Sequence, residues 1–340
     1  MKKICIVITN RSSWGRYMAV CKAIDEHPEL YLQLVVAGGA LNLDIPYEVD
    51  YRLNCLVDGD NGEAMVLTTS TLMNQLVPVF SRLKPDTVYV HGDRFEMLGV
   101  AMAANYMGIK IAHAEGGEDT GCIDDNIRNC ITELASIHLP VTWEAYWSVM
   151  DARQHGTVMT NRANVHMVGS PALDLLKDLP PRKIQGDYVV VLVHPNTTVD
   201  EDIGELIKAL EHVKETVIWV NPNFDAGAKK MLKEIHKTNY EFVKDLAPQE
   251  FYSLLKYCKC LIGNTSSGIK EGAFLGVPYI CIGKRQEGRE IGINTVMVDY
   301  KYEDIVAVYN HIKPCDPDTK FGDGNSGVRI AEVLAGDVYG

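Results

Sequence analysis

Residues Lys84–Glu96 read KPDTVYVHGDRFE. Within it the run from Asp86 to Gly92 is short and apolar. This is the pattern of a strand buried on both faces. Gly92 permits a tight exit, and Phe95 to Tyr106 then predicts a helix. Strand, glycine turn and helix in quick succession imply a parallel sheet covered on both sides. Working outward, Lys3 to Thr9 predicts a first strand, and a loop over Asn10 to Gly15 leads to a helix near Arg16 to His27. Leu32 to Gly39 is a second strand, and Met73, Leu76, Val77 and Phe80 at helical spacing mark the helix before Asp86. IKIAHAEGG is a further strand, Asp124 to Ile137 a further helix, and Asn164 to Pro171 a strand closing this half.

The second half repeats the alternation. Strands are expected at Tyr188 to Pro195, Thr216 to Asn223, YEFVKD, CKCLIGN and Val277 to Gly283. Helices are expected at Asp202 to Val213, Ala228 to His236, Pro248 to Tyr257 and Gly268 to Leu275. Between the halves, residues 176–186 combine a double proline, charge and a glycine, the composition of a linker. The expected division is therefore 1–175 and 187–320, with 321–340 forming a helix that returns to the first half. A chain of 340 residues suits two such domains.

Composition narrows the function classes. With 46% hydrophobic and 23% charged residues, the chain is neither disordered nor fibrous. A formal charge of -12 without a basic run argues against nucleic acid and anionic membrane as partners. MKKICIVITN reads as a strand rather than a signal peptide, and no apolar run is long enough to span a bilayer. Nine scattered cysteines suit reduced thiols in a cytoplasmic enzyme; Cys258 and Cys260 have no second pair to complete a zinc site.

The chemistry-bearing residues gather where strands end, which is where open parallel sheets bind ligands. Asp93 and Arg94 follow one strand, Glu115 and Glu118 follow the next, and Asp124 and Asp125 open a helix. Asp93, Glu115 and Asp124 lie 22 and then 9 residues apart, each at an element boundary. Acids capping helices would look the same one at a time; their convergence with arginines beside them suggests an acid–base site. Two glycines after Glu115 leave room for a ligand to approach the backbone. In the second half His194 ends a buried strand, suited to binding phosphate or moving a proton. GNTSSGIKEGAFLG then places Thr265, Ser266, Ser267 and Gly268 at the start of a helix, a serine cap or a diphosphate site. Glu271 lies one turn further for a ribose, and Arg285 beyond the next strand for phosphate charge. Neither a Walker A loop nor G-x-G-x-x-G occurs.

Together GDRFE, IAHAEGGEDTGCIDDNIR, VGSPALD, VHPNTT, NPNFDAG, GNTSSGIKEGAF and GKRQEGRE resemble the hydrolysing UDP-N-acetylglucosamine 2-epimerases of sialic and related nonulosonic acid pathways. The resemblance covers nearly the whole chain. It implies an α/β fold of two Rossmann-like domains in a glycosyltransferase-B-like arrangement, with the active site in the cleft between them. It implies catalysis by Asp93, Glu115, Asp124 and His194. It also implies substrate and nucleotide binding by Arg11, Arg94, Asn223, Thr265, Ser266, Ser267, Glu271 and Arg285. The implied reaction eliminates UDP through a 2-acetamidoglucal, which water then attacks with inversion at C2. No metal or redox cofactor is implied; a homodimer or homotetramer is, and Met97 to Met107 offers an apolar helix for pairing. Two positions depart from the family's habit: Ser13 stands where an acid is common, and Asn129 where a histidine is. The competing classes are the same chemistry on a GDP-linked or diacetamido sugar, a non-hydrolysing epimerase, a glycosyltransferase and a non-catalytic sugar-nucleotide binder.

Overall fold

The computed structural model describes residues 1–336 except 60, 122, 156–163, 182–183, 196–201, 223–227 and 245. The chain divides into two compact units. The first comprises 1–118, 123–174 and 322–340; the second comprises 119–122 and 175–321.

The first unit is built on β1 (Lys2–Ile8), β2 (Leu30–Ala37), β3 (Tyr51–Leu53), β4 (Thr87–His91), β5 (Lys110–Ala114) and β6 (Ile137–Leu139). Their order in the sheet is β3-β2-β1-β4-β5-β6, and every pairing is parallel. β1 shows why the sheet must be covered twice. Ile4, Ile6 and Ile8 enter one core with Tyr17, Val20 and Ile24 of α1 (Trp14–Glu26). Cys5 and Val7 enter the other with Leu72, Leu76 and Phe80 of α2 (Gly62–Leu83). Each such side chain taken fully from water contributes about 1.5–3 kcal/mol, and the period of two commits alternate residues to opposite faces.

α3 (Phe95–Tyr106) lies between α2 and α4 (Asp124–Leu134). Met97, Val100, Ala101, Ala103 and Ala104 are buried within this unit, while Asn105 and Tyr106 are exposed. The apolar length of Met97 to Met107 is thus largely used by the unit's own core. The last helix, α11 (Ser326–Ala335), also belongs to the first unit and packs along α1. Asp174 accepts hydrogen bonds from the Ser326 and Gly327 N–H groups (2.9 and 2.7 Å), satisfying the helix start. A side chain at Gly327 would come within 2.6 Å of the Ala19 carbonyl oxygen, so the two backbones meet there.

The second unit repeats the plan with β7 (Tyr188–Leu192), β8 (Thr216–Val220), β9 (Glu241–Val243), β10 (Leu261–Gly263), β11 (Tyr279–Ile282) and β12 (Thr295–Val298). The order is β12-β11-β10-β7-β8-β9, again parallel throughout. Around it are α6 (Ile203–Leu210), α7 (Ala228–Ile235), α8 (Pro248–Lys256), α9 (Ser266–Leu275) and α10 (Tyr302–His311). Numbered from its own first strand, each sheet runs 3-2-1-4-5-6. Each therefore reverses direction between its first and fourth strands, and a crevice opens there at the carboxyl ends.

Four differences from the sequence reading have local causes. The strand expected over Asn164 to Pro171 is reduced to one bridge, Val165 to His138. His166 and Val168 still donate to His138 and Pro140 (2.9 and 3.0 Å), but Gly169 turns to φ +82° and ends the pairing. β3, β6 and β12 hold three or four residues each, too few to show a period. α5 (Trp143–His155) was not anticipated, because Trp143 and Trp147 stand exposed and blur its polar face. α10 was missed as well; of its residues Ile305 and Tyr309 are the buried ones.

Candidate functional site

In the first unit the crevice lies between β1 and β4. Arg11 begins a 3-10 turn just beyond β1 and is exposed. β4 and β5 end level, with His91 opposite Ala114, so Gly92–Asp93 and Glu115 leave the sheet side by side. The Gly92 N–H donates to the Ala114 carbonyl (3.0 Å). From β5, His113 Nε2 contacts the Gly92 carbonyl oxygen at 3.0 Å, and its Nδ1 lies 3.1 Å from the Thr132 hydroxyl. A carbonyl only accepts, so Nε2 carries the hydrogen and Nδ1 accepts from Thr132. Burial pushes this imidazole down to about 4, so it is neutral at pH 7.

Asp93 is held by Arg128 of α4, whose guanidinium donates from Nη2 to Asp93 Oδ2 and from Nη1 to Asp125 Oδ1. Nη1 also donates to the Glu118 carbonyl (2.8 Å). Arg128 is 1% exposed. Burial opposes its charge, but Asp93, Glu118 and Asp125 outweigh that and hold it firmly protonated. One buried cation thus ties the turn that leaves β4 to the first turn of α4, where Asp124 is the first helical residue. A carboxylate there meets the favourable end of the helix dipole. Arg94, the residue before α3, pairs with Glu96 of that helix (Nε to Oε2 3.1 Å).

Glu115 is 5% exposed and sits at φ +63°, in the left-handed region. A side chain other than glycine there carries strain, which the surroundings must hold in place. Ser170 donates to Glu115 Oε1 (3.2 Å), and His91 Nε2 stands 3.5 Å from Oε2. The glycines after it do not leave open space. A side chain at Gly117, φ +83°, would come within 2.3 Å of the Ala145 carbonyl oxygen of α5, and one at Gly116 would crowd His113 and Thr132. Protein, not ligand, fills the room they make.

In the second unit the crevice lies between β7 and β10. His194 follows β7, and Thr265 follows β10 at the same level. Asn264, fully buried, joins them: its Oδ1 accepts from the His194 N–H (2.7 Å) and its Nδ2 donates to the His194 carbonyl (2.9 Å). Its own carbonyl accepts from Arg285 Nη1 (3.3 Å) and Gln286 Nε2 (2.9 Å). Thr265 caps α9 by accepting from the Ser267 N–H (3.3 Å), and Ser266 and Ser267 occupy the first turn half-buried. Glu271 is buried one turn further on, and Tyr252 donates to its Oε1 (3.4 Å). Burial, helped by Arg285, pushes His194 down to about 3, leaving a neutral imidazole beside an arginine. Positive charge at this end comes from Arg285 and the α9 terminus. Asn223 lies outside the described residues.

Among the described residues, Arg11, Asp93, Arg94, Glu115 and Asp124 follow strands of the first unit, and His194, Thr265, Ser266, Ser267, Glu271 and Arg285 follow strands of the second. Sequence reading missed the groups that fix them. Arg128 was part of a quoted motif, but nothing in its spacing showed it reaching Asp93. Asn264 sat inside GNTSSGIK without a role, and His91 inside GDRFE's preceding strand. A polar residue within a buried strand end was the available signal for both.

His113 and His194 predict an acid-labile fold. Unfolded, each binds a proton near 6.5; folded, each resists until about 4 and about 3. The unfolded chain then holds more protons across that window, so stability is complete above 6.5 and falls as pH drops through it. The melting temperature is expected to decrease from pH 7 to pH 4.5, with a shallower slope in His194→Asn. Identical slopes for the two proteins would remove His194 from this account.

Two doubly wound units make an α/β protein, with carboxylates after the strands of one and a hydroxyl-rich helix start beside an arginine in the other. Residues 22–335 match the UDP-N-acetylglucosamine 2-epimerase family, and the chain belongs to it. It is 30% identical to a UDP-N-acetylglucosamine 2-epimerase of Neisseria meningitidis serogroup B, over 98% of this chain and 95% of that one. It is 29% identical to a Campylobacter jejuni GDP/UDP-N,N'-diacetylbacillosamine 2-epimerase (hydrolyzing), over 85% of this chain and 82% of the other. The fold matches a crystal structure of the Methanocaldococcus jannaschii UDP-GlcNAc 2-epimerase in complex with UDP-GlcNAc and UDP. The TM-score is 0.81 at 19% identity, covering 98% and 99% of the two chains. Among the described residues no helix is long and apolar enough to cross a membrane, and no three His, Cys, Asp or Glu side chains group as metal ligands.

Proposed function

We propose that the protein is a hydrolysing 2-epimerase that converts UDP-N-acetylglucosamine and water to N-acetylmannosamine and UDP. The observation that carries this reading is the carboxylate set of the first unit. Asp93 and Asp125 are fixed on buried Arg128, and Glu115 is held in a strained pose beside them. A C2 proton is weakly acidic and needs a positioned base, which a transferase would not require. A carboxylate of this set takes that proton while the C1–O bond breaks, its electron pair leaving with the diphosphate. The 2-acetamidoglucal so formed adds water: hydroxyl goes to C1, and a proton returns to C2 from the opposite face. Asp93, Glu115 and Asp124 share these proton transfers.

The leaving diphosphate is assigned to the second unit. Thr265, Ser266 and Ser267 offer hydroxyls and N–H groups at the start of α9, and Arg285 adds charge. Its negative charge would offset the repulsion of Arg285 on His194, while burial, the larger cause of that imidazole's low pKa, stays in place. In this reading Glu271 would bind the ribose hydroxyls, Arg11 and Arg94 the phosphates, and Asn223 the nucleotide. Residues 176–186 serve as the link between the units. The enzyme would work in the cytoplasm as a homodimer or homotetramer, supplying the precursor of a sialic-type sugar acid.

The hydrolysing form is favoured by the GDRFE and HAEGGE segments. Incubation with UDP-N-acetylglucosamine in deuterium oxide is expected to yield free N-acetylmannosamine deuterated at C2, identified by NMR. A product still joined to UDP would sink the hydrolysing reading. Turnover confined to a GDP-linked or diacetamido sugar would move the substrate to that of the Campylobacter relative. Glu271→Gln and Arg285→Ala are expected to weaken UDP binding in calorimetry; wild-type affinity in both would place the nucleotide elsewhere.

A further inference from the structure

Behind Glu115 lies a buried polar group that the proposed chemistry leaves without a task. His91, the last residue of β4, is 4% exposed. Its Nδ1 lies 3.0 Å from the Tyr89 hydroxyl, two residues back on the same face of the strand. Its ring packs against Tyr17 of α1 with centroids 5.5 Å apart. Its Nε2 is buried without a closed hydrogen bond, and Glu115 Oε2 stands 3.5 Å away.

The tautomer follows from these partners. Burial raises the Tyr89 phenol well above its ordinary range, so it keeps its proton and donates to Nδ1. The imidazole hydrogen then sits on Nε2 and faces a carboxylate oxygen. The other oxygen already accepts from Ser170. Apolar burial alone would favour a neutral carboxyl group at Glu115, whereas the Ser170 hydroxyl on Oε1, joined by an Nε2–H drawn in to Oε2, favours the anion. A general base must be the anion.

We propose that His91 is a positioning residue for Glu115: with its tautomer fixed by Tyr89, it presents Nε2–H to Oε2 and, together with Ser170, keeps the carboxylate ionised and aimed. The role rests on the reading of Glu115 as an acid–base group. The separation of 3.5 Å is long for a hydrogen bond, and catalytic contacts of this kind commonly tighten when substrate is bound. Other titratable and charged groups around the pair include Tyr17, Arg16 and Cys21 from α1, His113 from β5 with Asp93 and Arg128 near it, Glu96 from α3, and Asp174 after the segment that carries Ser170.

The test uses the full chain. His91→Asn keeps an atom near Nδ1 and loses the one facing Glu115, whereas His91→Gln places an amide N–H near Nε2. Tyr89→Phe removes one hydroxyl and is the milder variant should the histidine variants fold poorly. With His91→Asn, kcat is expected to fall about 10-fold or more with KM little changed, and the acid limb of the kcat profile to move up about one pH unit. The sign follows because a carboxylate that loses a donor is protonated at higher pH. His91→Gln should recover most of the loss, and Tyr89→Phe should shift the limb the same way by less. Infrared difference titration against Glu115→Gln reads protonation of that carboxyl directly. It separates this proposal from the reaction assignment, because it needs no turnover. If the wild type turns over no nucleotide sugar, the acid–base reading fails, and the infrared shift alone decides for or against His91. An unmoved Glu115 titration in both His91→Asn and Tyr89→Phe overturns the proposal, as does equal loss in Asn and Gln variants with an unchanged pH profile.

Discussion

Replacing Asp93, Glu115 or Asp124 by its amide is expected to lower turnover by about 10²-fold or more, the scale of a lost acid or base. The fold should survive each change. An Asn at 93 still offers Arg128 an oxygen, and Arg128 keeps Asp125 and the Glu118 carbonyl. A Gln at 115 still accepts from Ser170. Asp124→Asn removes a charge that the first turn of α4 favours by about 0.3–1 kcal/mol. Turnover by NMR and unfolding by circular dichroism therefore ought to separate cleanly. Wild-type rates in all three variants would remove these residues from the chemistry.

Arg128→Met should have the largest effect on stability. The side chain is 1% exposed and neutralises Asp93 and Asp125 together. Deleting one partner of such a group leaves buried charge uncompensated, at a cost of about 3–5 kcal/mol. Asp93 and Asp125 are 24% and 18% exposed, so water reaches them in part and the lower end of that range is expected. Urea unfolding measures it. Adding Asp93→Asn to Arg128→Met should restore part of the loss, since one of the stranded charges is then gone. A single variant within about 1 kcal/mol of wild type would mean that the carboxylates need no cation, against the arrangement described.

How far the sequence could be read depended on what each element needs from its neighbours. β4 and β7 were legible because strands covered on both faces are largely apolar or β-branched: Thr87–His91 and Tyr188–Leu192 are buried at every residue. β3 and β6 were not, since three residues carry no period and owe their conformation to β2 and β5 alongside. The acids were legible because turn glycines and helix starts announce where a strand ends. Their supports were not. Arg128 reaches Asp93 across 35 positions of chain, and Asn264 reaches His194 across 70. Such pairings belong to the topology, and no local pattern contains them. The glycines after Glu115 misled for the same reason, because α5, which fills the space beside Gly117, had itself gone unread.

The return of α11 sets an order on the birth of the molecule. The first unit takes its last helix from the stretch of chain that follows the second, and Ile330, Ala331 and Leu334 of that helix share a core with Ile4, Ile6 and Ile8. A ribosome therefore delivers the whole of the second unit before the first can close. Until then the α1 face that receives Gly327 stays bare to solvent, and Asp174 waits for the N–H groups it will cap. Domains made from one unbroken stretch can fold as they emerge; here the earlier-born unit is the later to finish. Proteolysis of stalled nascent chains would show it: a nascent chain that ends before Ser326 leaves the first unit open to cleavage after the second has become resistant.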